Sequence, residues 1–251
     1  MDEEVLEGGG RNTVTRVGDV VHRTTGPWAA SVHSLLRHLE AGGFDGAPRI
    51  VGTGFGPDGR ETLSYVAGAT PSRNIVSADA MAEVGVLLRR MHDATNSFVP
   101  PADAVWRDWF GRTLGTSETI IGHCDTGPWN IIERDGRPVA FIDWEEAGPV
   151  DRYVEIAQTC WLTAQLHDDD VAERNGLADA AERARHMRAI VDGYGLAAQN
   201  REGLVDTMIE FAVHAAADEA RRNEPLEAIA WRVRGAAWML RHRMLLENAL
   251  R

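Results

Sequence analysis

Three side chains in one short stretch could do chemistry together: Asp125, Asn130 and Asp143. Carboxylate and carboxamide oxygens are hard ligands, and Mg2+ is commonly held by one or two of them together with substrate phosphates. A further carboxylate, not spent on the metal, can orient or deprotonate a hydroxyl nucleophile. The local sequence supplies the means of gathering them. His123-Cys124-Asp125 is followed by Pro128-Trp129-Asn130, the β-branched pair Ile131-Ile132, the turn Arg134-Asp135-Gly136-Arg137, and a returning arm, Val139-Ala140-Phe141-Ile142, that delivers Asp143 and Trp144. Asp-Gly between two apolar arms is a strong hairpin signal. Folding about it puts Asn130 roughly opposite Phe141, so that Asn130 and Asp143 meet at the open mouth with Asp125 just outside.

The segments HCDTGPWN, FIDWEEAG and DRYVEIA resemble the aminoglycoside phosphotransferase and choline kinase superfamily. The likeness is strongest over residues 121–158 and extends more loosely from about residue 8 to 161; Asp151-Arg152-Tyr153 in particular resembles the antibiotic-phosphotransferase branch. The resemblance implies an α+β, two-lobed, protein-kinase-like fold. A small antiparallel-sheet lobe would cover residues 1–66 and a larger, mostly helical lobe residues 67–251. It further implies Asp125 as catalytic base, Asn130 and Asp143 as Mg2+ ligands, and ATP or GTP as phosphoryl donor. His123 and Glu155 would brace the catalytic loop, Glu155 standing where relatives carry Asp. Cys124 stands where relatives commonly carry Gly.

The N-terminal region reads as the nucleotide side. Gly8-Gly9-Gly10-Arg11-Asn12 resembles a glycine-containing turn over a triphosphate, with Gly10 and Asn12 as its contacts; missing Cβ atoms let backbone N–H groups approach phosphate oxygens. No Gly-Lys-Ser/Thr follows, so it is not a P-loop. Residues 13–17 and 20–23 read as a hairpin turning at Gly18-Asp19. Arg23 ends its second arm, where relatives carry the phosphate-clamping cation. The chain has no lysine at all, all 26 of its basic residues being arginine, so the usual strand lysine cannot be present. A helix over 28–41 follows, carrying Val32, Leu35, Leu36 and Leu39 on one stripe. Relatives place the clamp's partner glutamate on its first turns; Val32 and His33 occupy that region here, so the ion pair is missing or remade with His33. Strands over 48–52 and 61–66 flank the turn Gly56-Pro57-Asp58-Gly59. In relatives the segment matching Leu63–Val66 joins the lobes and offers backbone groups to the adenine edge, which implicates Ser64, Tyr65 and Val66.

The rest reads as helical. Met81, Val84, Leu87, Leu88 and Met91 repeat at helical spacing in a segment from Ala78 to His92. Trp106, Trp109 and Phe110 form an aromatic cluster read as packing. Further helices are expected from Glu155 to Leu166 and over about 171–194, 199–223 and 224–250, with Asp168-Asp169-Asp170 capping the first of the last three.

Whole-chain properties limit the function. The net charge of −12 over 251 residues argues against a nucleic-acid partner, whose phosphates would be repelled, and favours a cationic or neutral small acceptor. Residues 69–251 hold most of the excess acid, and Glu145, Glu146 and Asp151 are the candidates to face that acceptor. No run approaches the roughly 18 apolar residues of a membrane span, the N-terminus does not read as a signal peptide, and Cys124 and Cys160 form no metal or disulfide spacing. The expectation is a cytoplasmic, Mg2+-dependent small-molecule kinase acting on an aminoglycoside, another antibiotic or another hydroxyl compound. Three rivals stand beside it. A protein kinase lacks support, because no activation segment or Ala-Pro-Glu follows Asp143. A non-catalytic binding or immunity protein of this fold would fit the altered clamp. A hydrolase would use Asp125 with the same metal ligands.

Overall fold

The computed structural model describes residues 3–6, 14–70, 77–115 and 119–251. The expected contacts at Gly10 and Asn12 lie outside the described residues. The N-terminal part is a five-stranded antiparallel sheet with one helix. Its strands are β1 (Glu4–Leu6), β2 (Val14–Val17), β3 (Val20–Arg23), β4 (Ile50–Phe55) and β5 (Glu61–Ser64), in the order β1-β2-β3-β5-β4, and α1 (Ala29–Ala41) connects β3 to β4. The α1 stripe of Val32, Leu35, Leu36 and Leu39 is buried as its spacing predicts.

The C-terminal part is mostly helical: α2 (Ala78–Thr95), α3 (Arg152–Thr163), α4 (Asp169–Asn175), α5 (Ala180–Tyr194), α6 (Leu204–Arg221), α7 (Leu226–Arg241) and α8 (Arg243–Leu250). Two small ladders, β6 (Thr119–Gly122) with β9 (Gly148–Asp151) and β7 (Ile131–Arg134) with β8 (Arg137–Phe141), hold the segment between α2 and α3. The fold is therefore the expected α+β arrangement of a small antiparallel sheet on a larger helical body. Two of the expected helical stretches are divided. The stretch 171–194 is two helices, because Gly176 ends α4 in the left-handed conformation and Asp179 caps α5 through Glu182 N. Residues 224–250 likewise divide at His242.

The hairpin is built as its turn chemistry requires. Asp135 and Gly136 both have positive φ, 54° and 74°, the pattern of a tight two-residue turn whose twist suits the flanking strands. Ile131 pairs with Phe141, and Ile142 N donates to Asn130 O at 2.8 Å, so the register lies one residue from that expected. The hairpin is fastened to the N-terminal part by Phe141 N donating to Gly46 O at 2.9 Å and by paired bonds between Ala69 and Glu133. No helix of the described residues is long and apolar enough to cross a membrane.

Under the hairpin, α2 and α5 cross at backbone contact. A Cβ on Gly85 would lie 2.0 Å from Ile190 O, and one on Gly193 would lie 1.9 Å from Ala82 O. Only a hydrogen fits at either position, and the crossing sets where His92, in the last turn of α2, meets Glu155 and Tyr194. Gly85→Ala is expected to force the helices apart and to lower unfolding stability by about 1–3 kcal/mol, the usual cost of overpacking, read as a lower denaturation midpoint. An unchanged midpoint would contradict the close crossing.

Candidate active site

The loop between β6 and β7 positions Asp125 through neutral or internally compensated groups. His123 is fully buried; its Nδ1 accepts from Asp125 N at 3.2 Å and its Nε2 faces Ile142 O at 2.9 Å. An imidazole that accepts on Nδ1 and meets a carbonyl on Nε2 is the neutral Nε2–H tautomer, and burial pushes its pKa below the ordinary value. Cys124 has φ of 65°, the left-handed region that favours glycine, which gives a physical reason for the Gly common at this place. Its N–H donates to Glu155 Oε1 at 2.6 Å. Glu155 Oε2 in turn meets His92 Nε2 at 2.9 Å, and His92 Nδ1 meets the Tyr194 hydroxyl at 2.9 Å. Burial opposes the charge on Glu155, but the His92 contact and the Cys124 N–H outweigh it and hold the carboxyl below its usual range.

Asp125 is half-buried at the mouth of this loop. Its Oδ2 accepts from Asn130 Nδ2 at 2.8 Å and from Trp129 Nε1 at 3.3 Å. Burial raises its pKa to about 6, helped by the negative charge of Asp143 and offset in part by those two donors. Asn130 sits in a 3-10 turn over Pro128–Asn130 and is buried; its Nδ2 is spent on Asp125 O and Oδ2. The amide oxygen of Asn130 is thereby the atom left for a cation. Asp143 follows β8 with φ and ψ both 63°, a left-handed bend that turns its carboxylate off the strand.

Arg23 supplies the link to the N-terminal sheet. Its Nε donates to Glu61 Oε2 at 2.5 Å and its Nη1 pairs with Asp143 Oδ1. Glu61 Oε1 meets His33 Nε2 at 2.8 Å, and all but Asp143 in this group are buried. Burial works against the guanidinium charge, but the two carboxylates prevail and raise its pKa. Glu61 is held below its usual range despite burial, through His33 and Arg23. The clamp partner is therefore a strand residue: Arg23 and Glu61 are directly opposite in the β3–β5 register. Gly54 in the irregular β4 leaves room for the His33 ring that reaches Glu61, since a Cβ there would lie 2.5 Å from it.

These groups line one cavity of about 350 Å³. Arg23, Asp125, Asn130, Asp143, Glu145 and Glu146 are all on its wall. Burial, with the charges of Glu145 and Asp125 working against the compensation from Arg107, pushes Glu146 up to about 7. Asp151 does not join them. It is buried and its Oδ1 caps α3 by accepting from Tyr153 N at 2.8 Å, so the expected acceptor contact is corrected to a helix cap. The N–H groups of Ser64 and Tyr65 donate to Arg49 O and Asp19 O, both at 2.8 Å, and neither these two nor Val66 is on the wall of this cavity. Trp109 and Phe110, expected to be packing alone, line it as well. Sequence reasoning missed Glu61, His92 and Arg112. The last donates to Arg107 O, Pro149 O and Glu146 O at 2.8–3.1 Å and ties the hairpin's exit to the preceding segment.

Two outcomes follow from this electrostatic arrangement. Glu61→Gln removes the charge that compensates a buried guanidinium and is expected to cost about 3 kcal/mol of stability, seen as a lowered unfolding midpoint; no change would contradict the buried pairing. Asp125→Asn is expected to do the reverse. A carboxyl whose folded pKa is raised, from 3.8 to about 6, makes stability fall as pH rises through about 4 to 6 and leaves the deficit in place above that window. Asn keeps both hydrogen bonds without the charge, so at pH 7 the variant should be more stable by about 1–3 kcal/mol, a gain that vanishes near pH 4.

A family model described as the phosphotransferase enzyme family matches residues 99–193. The chain is 56% identical to the trifolitoxin immunity protein of Rhizobium leguminosarum bv. trifolii, over 99% of both chains. Its fold is similar to that of a microcompartment-associated aminopropanol kinase, at a TM-score of 0.64 and 15% identity over 100% of this chain and 94% of the other. It is similar also to aminoglycoside 2'-phosphotransferase-IIIa, solved as a GDP complex, at a TM-score of 0.54 and 14% identity over 100% and 92% of the two chains. The chain belongs to the same family as the trifolitoxin immunity protein, and its residues 99–193 match the phosphotransferase enzyme family.

Proposed function

We propose that the protein is a cytoplasmic, Mg2+-dependent kinase that transfers the γ-phosphoryl group of ATP or GTP to a hydroxyl of a small molecule, an aminoglycoside or other antibiotic foremost. The observation that carries this reading is Asp125. Its carboxylate lines the cavity with Asn130 and Asp143, and no arginine of the described residues is paired with it. The name of the 56% identical relative, an immunity protein, supports an antibacterial compound as the acceptor. Asn130 and Asp143 fit a divalent ion, since both offer oxygen donors to the same cavity and the Asn130 nitrogen is already engaged. When bound, Mg2+ supplies neutralising charge to the phosphate oxygens.

The remaining roles belong to the chain. Asp125 orients the acceptor hydroxyl and takes its proton as the new oxygen–phosphorus bond forms and the β–γ bridging bond breaks. Asn130 and Trp129 hold the carboxylate through Oδ2, leaving Oδ1 to meet the hydroxyl. Arg23 positions Asp143 and adds positive charge on the nucleotide side. Because phosphoryl transfer passes through a loose transition state, placement and charge carry most of the acceleration.

A second reading has its own support. Arg23 is already engaged by Glu61 and Asp143, and the relative is named for immunity, which suits a non-catalytic binder of the same fold. Catalysis separates the two. Purified protein incubated with Mg-ATP or Mg-GTP and a panel of antibiotics and amino alcohols should yield an acceptor heavier by one phosphoryl group. Binding of a compound with no such product across the panel would favour the binder, and release of free phosphate alone would favour hydrolysis. Asp125→Asn is expected to lower the transfer rate by about 10²–10⁴-fold while nucleotide binding persists, and the wild-type rate should fall as pH drops through about 6. Retention of full activity in the variant would remove Asp125 from the reaction.

A further inference from the structure

The acid excess of the sequence suggests a cationic acceptor, but most of the cavity's carboxylates already have an arginine in contact. Glu145 and Glu146 both pair with Arg107. Asp218 pairs with Arg222 at 2.9 Å and Glu219 with Arg232 at 2.5 Å. Arg222 and Arg232 themselves line the cavity, so these two carboxylates already hold a cation and have less to offer a polycation. The same cavity has a continuous aromatic wall. Phe110 and Phe211 have ring centroids 5.0 Å apart, Trp109 lies 5.3 Å from Phe110, and Trp161 lies 6.1 Å from Phe211. All four line the cavity.

Two buried polar atoms on that wall have no protein partner. Gln158 is 3% exposed; its Nε2 donates to Cys124 O at 2.9 Å, and its Oε1 accepts from nothing among the described residues. Since Cys124 O can only accept, the amide cannot be flipped to reverse these roles. Trp161 is 1% exposed and its Nε1–H likewise has no acceptor. The two residues are one turn apart on α3, so they share a helix face. A buried polar atom left unsatisfied costs about 1–3 kcal/mol, a cost that a ligand offering an N–H and a carbonyl would relieve.

We infer that the acceptor is a hydroxyl compound carrying at most one positive charge, with an apolar ring for the aromatic wall and an amide-like N–H and C=O for Gln158 and Trp161. This rests on the phosphotransferase reading and narrows it: a polycationic sugar is disfavoured. The volume agrees, because about 350 Å³ is at the small end of ligand pockets, roughly 300–1,000 Å³, and the same space includes the proposed metal side.

N-benzoyl-L-serine methyl ester has the ring, one amide N–H and one primary hydroxyl, and no charge; kanamycin is a polycation. Binding of each to the full-length protein can be followed by tryptophan fluorescence, since Trp109 and Trp161 line the cavity, at low and high NaCl. The ester is expected to bind more tightly than kanamycin, with an affinity that salt leaves nearly unchanged. Its N-methyl analogue, lacking the N–H, should bind about three- to tenfold more weakly, the value of one net hydrogen bond. Tighter, strongly salt-dependent binding of kanamycin would overturn the inference, as would failure of the ester to bind or equal affinity for its N-methyl analogue. Binding of the ester as expected, without phosphorylation by Mg-ATP or Mg-GTP, would leave this inference standing and remove the kinase reading instead.

Discussion

The guanidinium of Arg23, buried between Glu61 and Asp143, is the contact on which the rest of the site depends. A buried cation is tolerated only where opposite charge and hydrogen bonds meet it, and here they come from two parts of the chain. Glu61 belongs to the N-terminal sheet, whereas Asp143 ends the hairpin of the C-terminal part. Satisfying one guanidinium therefore fixes the position of the sheet relative to the hairpin's mouth. His33 completes the arrangement from α1 by engaging the second oxygen of Glu61. The pair that is commonly strand-to-helix in this superfamily is here strand-to-strand, with the helix contributing through an imidazole.

The opposite side of the cavity is organised by a different logic. The loop that carries Asp125 is braced by a neutral His123 and by the buried Glu155, whose charge is met by His92 and a backbone N–H. These braces consume their own polar groups and leave the cavity's field to its lining residues. Among those, Asp143, Glu145, Glu146, Asp218 and Glu219 each have an arginine in contact, whereas Asp125 is held by an amide and an indole. Its elevated pKa follows chiefly from burial, with the charge of Asp143 adding to it and the two hydrogen bonds and the charge of Arg232 opposing it. A carboxylate left in this condition is more basic than an ordinary aspartate and closer to the requirements of a proton acceptor near neutral pH.

Much of this was legible in the sequence because it is local. The Asp135-Gly136 turn, the apolar arms beside it and the positions of Asn130 and Asp143 are set within about twenty residues, and the register was read to within one position. The apolar stripes of α1 and α2 were equally plain. What escaped were contacts closed by distant segments. Nothing near Arg23 indicates that Glu61 lies opposite it, since a strand register between β3 and β5 depends on the intervening helix and hairpin. His92 read as the end of an apolar helix, and its role appears only once Gly85 and Gly193 let α2 settle against α5. Asp151 was misplaced for a simpler reason: an acid after a β-strand and before a helix is a cap first, and its side chain satisfies the first turn of α3. The cavity's charge balance was also hidden, because acid content counts carboxylates without showing which arginines reach them.

The most direct test of the central claim is calorimetric titration of the protein with ATP and with GTP, each in the presence of Mg2+ and again with the metal chelated. The account requires that at least one nucleotide bind, that binding strengthen with Mg2+, and that Asp143→Ala abolish the metal's effect while leaving the chain folded. No binding of either nucleotide under any of these conditions, or binding of equal strength with and without metal in the unaltered protein, would contradict it.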